Sequence, residues 1–281
     1  VALLDGIRIV TLAPNVPGPV AAARLRALGA SVVKLEAPGG DLLEEAAPAW
    51  FARLHEGIET VTCDLKTAAG REQLDAHLAR ADVFLTSMRV SALERLGYGW
   101  ARVHVFAPTL VHVAIVGREA PSEERPGHDL TYLAEAGLLD PQSMPRSLFV
   151  DLAGAERAVS AVLGALFARA RTGEATQTYV ALASVAHDLA APHDAGLTQV
   201  GGILGGGFAA YRVYRAADGY VALAALEPRF FETLCDRLLE SGAFASLEEA
   251  FLSQPCVDWE RFAVQLDLPI AIVKTTRKMP S

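Results

Sequence analysis

Cysteine is scarce in this chain. There are three in 281 residues, Cys63, Cys235 and Cys256, far apart and odd in number. They form neither a disulfide framework nor a zinc-ligand spacing, so a reducing, cytoplasmic setting is expected. A polybasic run is also missing. The 25 basic and 33 acidic side chains leave a net charge of −8. That excludes nucleic acid as a main partner, while leaving room for a local basic pocket around one small anion. Long apolar runs are absent too. The longest, Ala158 to Ala168, has 11 residues, whereas a membrane span needs ~20, so a buried helix and no membrane partner are expected. The opening VALLDGIRIV lacks the basic start and long apolar core of a signal peptide, and none is expected. Internal repeats and low-complexity tails do not occur. What the chain has in quantity is hydrophobic side chains, at 52%. This is a globular balance, and the length suffices for one large domain or two smaller ones of ~100–200 residues.

The first 36 residues read as a βαβ unit. Ile7 to Leu12 is an apolar, β-branched run and reads as a buried strand. Ala13 to Pro19 holds three prolines and a glycine and reads as a loop. Val20 to Leu28 is Ala-rich and helical, closed by Gly29, and Ser31 to Leu35 is the next strand. Thr60 to Leu65, Asp82 to Leu85 and Leu110 to Val116 continue the strand pattern, with helices over Arg71 to Leu78 and around Ala92 to Leu96. Alternation of this kind predicts a mostly parallel α/β sheet. Leu130 to Leu139 and Gly154 to Ala170 read as helices, and Gln177 to Leu182 as a strand leading into one. Thr198 to Gly207 contains five glycines and reads as a linker or flexible crossing. Beyond it, Phe208 to Tyr214 and Tyr220 to Ala225 flank Ala216-Ala217-Asp218-Gly219, a hairpin signal. Pro228 to Met279 alternates helices with a last short strand near Ile270 to Val273. The expected domains are 1–197, large and Rossmann-like, and 198–281, a linker plus a smaller α/β domain.

The loop of the first βαβ unit, Ala13-Pro14-Asn15-Val16-Pro17-Gly18-Pro19, is not G-x-G-x-x-G. One glycine among prolines cannot bring backbone against a pyrophosphate, so no nicotinamide or flavin site is expected. His187-Asp188 and His193-Asp194 sit six residues apart, a spacing that fits no common metal set, and no metal is expected. His55, His77, His104 and His112 read as surface or satisfied core. His128 differs, because Pro126-Gly127-His128-Asp129 is a turn opening a helix, where a side chain can face a pocket. Asp129 as the cap of that helix is the blander reading, as is Asp151 as the cap of the long apolar helix and Glu227 as a helix entrance before Pro228.

Resemblance adds to these residues. Leu4-Asp5-Gly6-Ile7-Arg8-Ile9-Val10, the Pro17-Gly18-Pro19 loop and Leu28-Gly29-Ala30-Ser31-Val32-Val33-Lys34-Leu35-Glu36 open a series of matches. Pro38-Gly39-Gly40-Asp41, Asp64-Leu65-Lys66, Ala81-Asp82-Val83 and Leu93-Glu94-Arg95-Leu96-Gly97 follow. Gly127-His128-Asp129, Asp151-Leu152-Ala153-Gly154, Arg171-Thr172-Gly173 and Ala217-Asp218-Gly219 complete it. In order and spacing the chain resembles the family III CoA-transferase and alpha-methylacyl-CoA racemase family over nearly its whole length. Gly127-His128-Asp129 and Leu226-Glu227-Pro228-Arg229-Phe230 are closer to the racemase branch.

The resemblance implies the family III CoA-transferase fold and an interlocked homodimer. It implies an acyl-CoA thioester as substrate, with coenzyme A as substrate moiety and no permanently bound cofactor. It makes Asp151 the shared catalytic carboxylate. In a racemase-like enzyme, the leading expectation, Asp151 and His128 are the two bases that move an alpha proton, and Glu227 holds the His128 tautomer. In a CoA-transferase, the second reading, Asp151 attacks the acyl-CoA as nucleophile. The CoA contacts fall on Cys63, Asp64, Leu65, Lys66, Ser87, Met88, Arg89, Arg95, Gly127 and Asp129. A third reading is a weakened or non-catalytic CoA-binding relative. Ala37 stands where the racemase branch has an arginine, and Glu56 and Glu59 stand where relatives carry Arg-Gly-Lys. The C-terminal segment that in relatives returns to the first domain is expected to be absent.

Overall fold

The computed structural model describes residues 2–239 and 244–274. The expected end of the small domain, Met279 included, lies outside the described residues, as does any segment returning from it. The chain forms two compact units, residues 1–190 and 191–281. Their division falls a few residues before the expected boundary at 197/198.

The first unit is built on six parallel strands: β1 (Arg8–Thr11), β2 (Ser31–Glu36), β3 (Glu59–Thr62), β4 (Val83–Thr86), β5 (Val111–Val116) and β6 (Gln177–Ala181). Their spatial order is β3-β2-β1-β4-β5-β6, and every neighbouring pair is parallel. This is a Rossmann-like sheet, as the alternating pattern predicts. Strands β4 and β5 are buried at every position because both sheet faces are covered, which is why they read as unbroken apolar runs. On one face, Ile9, Val113 and Ile115 pack with Val20 and Leu25 of α1 (Pro17–Ala27) and Val159 and Val162 of α8 (Phe149–Thr172). On the other, Val10 and Phe84 pack with Leu74 and Leu78 of α4 (Ala68–Leu78) and Leu93 of α5 (Val90–Arg95).

Helix boundaries depart from the sequence reading in instructive places. Helix α1 begins at Pro17, inside the expected loop. The first-turn N–H groups of a helix have no partner within it, so Pro17 and Pro19 forfeit nothing there and preset φ. Two short helices that periodicity did not reveal, α2 (Leu42–Ala46) and α3 (Pro48–Leu54), cross from β2 to β3, and α6 (Trp100–Phe106) precedes β5. Helix α7 (Asp129–Glu135) is shorter than expected and α8 longer. Neither Asp129 nor Asp151 is the cap of its own helix: those positions belong to His128 and Leu148. Helix α9 (Leu182–Asp194) follows β6 directly.

A buried ionic cluster fixes the loop after β1. Lys34, only 2% exposed in the middle of β2, places Nζ 2.7 Å from Asp41 Oδ2, 2.8 Å from Glu36 Oε2 and 3.1 Å from His55 Nε2. The other Asp41 oxygen accepts the N–H groups of Leu43, capping α2, and of Asn15, each at 3.0 Å. Burial alone would raise the Asp41 carboxyl. The hydrogen bonds from Lys34 and the two N–H groups outweigh it and hold the group below its usual range.

The second unit holds the antiparallel strands β7 (Tyr211–Arg215), β8 (Tyr220–Ala224) and β9 (Ile270–Ile272) in the order β7-β8-β9. The expected hairpin is present, with Ala216 N–H donating to Gly219 O across its turn. Helices α10 (Pro228–Leu238), α11 (Leu247–Leu252) and α12 (Cys256–Leu266) surround a core of Tyr214, Leu234, Phe251 and Trp259. The glycine cluster is not an open linker. Gly202 N–H donates to Gln199 O, Leu204 N–H to Leu197 O and Gly207 N–H to Gly202 O. A Cβ on Gly202, Gly205 or Gly207 would collide with the carbonyls of Gly196, Gln199 and Gly201 respectively.

Removing one partner of a buried ion pair leaves an uncompensated charge, so Asp41→Ala is expected to destabilise the protein by about 3 kcal/mol. Exposed Glu56→Ala should stay within about 0.5 kcal/mol of wild type. Urea unfolding followed by circular dichroism checks both. Because the folded Asp41 carboxyl lies below its usual 3.8, its contribution is complete above that value and disappears as pH falls through the lowered one.

Candidate active site

A cavity of about 250 Å³ opens at the carboxyl ends of β1, β4 and β5. The strand order reverses between β1 and β4, and the diverging connections leave a crevice there, where open α/β sheets place their ligands. Pro14, Asn15 and Pro17 form one wall, Ser87, Met88 and Arg89 a second, and Val116 and Gly117 part of the floor. The segment from Arg125 to His128 closes the third side, with Tyr132 and Asp151 facing in.

Each wall has a local cause. Asn15 adopts φ +67, and its N–H is held by Asp41, so the buried Lys34 cluster sets the first wall. Gly127 packs so closely on Tyr132 that a Cβ would lie 2.6 Å from the ring. His128 stands just before α7; its N–H donates to Thr131 Oγ1 at 2.9 Å, and its carbonyl accepts Thr131 N–H at 2.8 Å. The exposed imidazole is left to face the cleft.

Asp151 lies in the first turn of α8 and is half-buried. The backbone there is tied to the neighbouring helix. Oδ1 of Asp129, on the first turn of α7 and 4% exposed, accepts the N–H groups of Val150 at 2.7 Å and Asp151 at 2.9 Å. Asp129 is thus a cap, but for α8 instead of its own helix. The Asp151 carboxyl is pushed up to about 6, first by burial and next by the neighbouring Asp129 charge, with the His128 imidazole opposing both. A carboxylate in this condition is mostly ionised at neutral pH yet poorly solvated, which suits a nucleophile or a base.

Of the residues singled out from the sequence, Ser87, Met88, Arg89, Gly127, His128 and Asp151 line this one cavity. Asp129 sits behind it. Cys63, Asp64, Leu65, Lys66 and Arg95 do not line it. Cys63 is core, with Sγ donating to Gly70 O; Asp64 Oδ1 accepts Lys66 N–H at 3.0 Å, a turn that leads into α4. Arg95 is exposed on α5 and donates to Ser91 Oγ. Glu227 belongs to the second unit, where it precedes α10 with its side chain exposed. His112 is the satisfied core histidine expected, between Thr86 Oγ1 at 3.0 Å and Gln177 Nε2 at 3.1 Å. Sequence reasoning missed Asn15, Arg125 and Tyr132. Tyr132 carried a usable signal: it lies four residues after His128, hence on the same side of α7.

The family model for CoA-transferase family III matches residues 4–279. The probable fatty acyl-CoA transferase Rv3272 of Mycobacterium tuberculosis is 35% identical over 207 residues, 67% of this chain and 52% of that protein. A formyl-CoA:oxalate CoA-transferase of Streptomyces avermitilis is 29% identical over 194 residues, 64% of this chain and 47% of that one. The chain therefore spans about half the length of the curated relatives it matches. A crystal structure of Rv3272 superposes with a TM-score of 0.82 at 28% identity, covering 97% of this chain and 85% of the other. A CaiB/BaiF family protein from Brucella suis, 24% identical with a TM-score of 0.79, supports the fold. The chain belongs to CoA-transferase family III.

Proposed function

We propose that this protein transfers coenzyme A between an acyl-CoA thioester and a free carboxylate, with Asp151 as nucleophile. The observation that carries this reading is the half-buried Asp151 carboxylate facing a cavity at the switch point of the sheet. One Asp151 oxygen attacks the thioester carbonyl carbon and CoA leaves as thiolate, giving a mixed anhydride on the enzyme. Attack by CoA thiolate on the aspartyl carbonyl then frees the acid and leaves an aspartyl thioester. An incoming carboxylate displaces the thiolate to form a second anhydride, and the thiolate attacks its acyl carbonyl, releasing the new acyl-CoA and the Asp151 carboxylate. The names of the relatives favour group transfer. Arg89, exposed beside the cavity, is the anchor for the CoA phosphates on this reading, joined by Arg125. The working form is a homodimer on this reading.

A racemase is the second reading, favoured by His128 on the same cavity as Asp151. There the two groups would exchange an alpha proton across the substrate.

Hydroxylamine intercepts the anhydride. Incubation with acyl-CoA and hydroxylamine is expected to leave a hydroxamate on Asp151, read by peptide mass, and Asp151→Asn should lose CoA exchange by at least about a thousandfold. Wild-type exchange in that variant would remove Asp151 from the chemistry. Rapid alpha-deuterium exchange without CoA exchange would move the assignment to racemisation.

The pH profile carries a second check. Only ionised Asp151 attacks, so kcat/KM should fall on the acid side with a limb near pH 6. Asp129→Asn keeps an acceptor oxygen but removes the like charge, and should move that limb to lower pH.

The same group costs stability. Its folded value lies above its ordinary 3.8, so folding is opposed increasingly as pH rises from 3.8, fully so above about 6. Asp151→Asn should therefore stabilise the protein at pH 8 by roughly 1–2 kcal/mol and hardly at all at pH 4, as urea melts would register.

A further inference from the structure

Attack on a thioester turns its carbonyl oxygen into an oxyanion, which needs a hydrogen-bond donor close to the attacking carboxylate. Four backbone N–H groups around the two helix starts are already taken. The N–H groups of Val150 and Asp151 donate to Asp129, that of Leu152 to Leu148 O, and that of His128 to Thr131 Oγ1. Arg125 is engaged with Glu135 at 3.1 Å. Tyr132 remains. It is 2% exposed, and its hydroxyl lies in the notch between Gly117 and Gly127: a Cβ on either glycine would come within 2.5–2.6 Å of it. Both glycines thus make room for this one phenol. The side chain lines the cavity, its ring lies 5.4 Å from the Arg118 guanidinium carbon, and its hydroxyl has no hydrogen-bond partner among the described residues. The hydroxyl is not among the fully buried unpaired atoms, so it opens on the cavity, where a ligand can supply the partner.

Resting on the transferase reading above, we propose that Tyr132 is a further catalytic residue: its hydroxyl donates a hydrogen bond to the thioester carbonyl oxygen as Asp151 attacks. The Asp151 oxygen forms the new C–O bond, and the carbonyl π pair moves onto the oxygen facing Tyr132. When that pair returns, the C–S bond breaks and CoA leaves as thiolate, the nucleophile of the following step. Tyr132 keeps its proton throughout. Burial first, then the nearby Asp151 and Glu135 charges, raise its phenol above the ordinary value, and Arg118 opposes them without reversing the direction. The group therefore stays a donor across the working range.

Tyr132→Phe removes the donor and little volume. With acetyl-CoA and octanoyl-CoA as probes, Asp151 hydroxamate formation at saturation should slow on the order of a hundredfold or more, while affinity for S-propyl-CoA, which lacks a carbonyl, stays within about twofold. An independent reading uses S-(2-oxopropyl)-CoA, whose ketone presents the oxygen without being cleaved. Wild type should prefer it over S-propyl-CoA by up to about tenfold, and Tyr132→Phe should lose the preference. A variant that keeps both the wild-type rate and the ketone preference overturns the role of Tyr132, with the transferase reading intact. A wild type that forms no hydroxamate but shows a Tyr132-dependent ketone preference overturns the transferase reading and keeps Tyr132 as the oxygen's donor.

Discussion

The candidate site depends on one buried carboxylate. Asp129 rises from the first turn of α7 and spends one oxygen on two N–H groups at the start of α8. Those N–H groups are orphans of helix geometry, and an anion beside them is favoured by the helix dipole. The bond therefore anchors two helices to each other at the place where each presents a reactive side chain, His128 from one and Asp151 from the other. It also sets a fixed negative charge behind Asp151. Position and reactivity of the carboxylate thus follow from the same contact.

A second buried ion cluster does similar work across the cleft. Lys34 lies within a parallel strand, where a charged side chain is ordinarily excluded. Asp41, Glu36 and His55 surround it because the β2–α2–α3 crossover folds back over the strand. Asp41 passes the constraint on to Asn15, and so to the cleft wall after β1. The two clusters share a form. In each, a carboxylate accepts backbone N–H donors at a helix start and ties that start to another segment.

The sheet was legible from the sequence because doubly covered strands write themselves as apolar runs, and Val111–Val116 is the clearest. Gly29 was legible as a helix terminator because it takes φ +107 directly after the last turn. The start of α1 was not, since prolines read as loop whether they lie before a helix or in its first turn. Helices α2, α3 and α6 are five to seven residues long, too short to show a period. In the site, His128 stood out by its turn before a helix, whereas Asp151 read as a helix cap and was singled out only by the family resemblance. The target of Asp129 was hidden, because its partners lie 21 and 22 residues ahead and only the tertiary fold brings them close. Asp64 to Lys66 matched a family pattern, and the fold places them at the turn into α4, outside this cavity.

The glycine turn of the second unit has a consequence for how this chain can vary. Gly202, Gly205 and Gly207 abut backbone carbonyls, while Gly201 and Gly206 take φ of +83 and +86. Steric exclusion claims three positions, and left-handed backbone geometry claims the other two. The stretch that composition marks as the least constrained is therefore among the poorest in acceptable alternatives. Drift in sequence should proceed around it, through exposed positions such as Val200, before it enters any of those five sites.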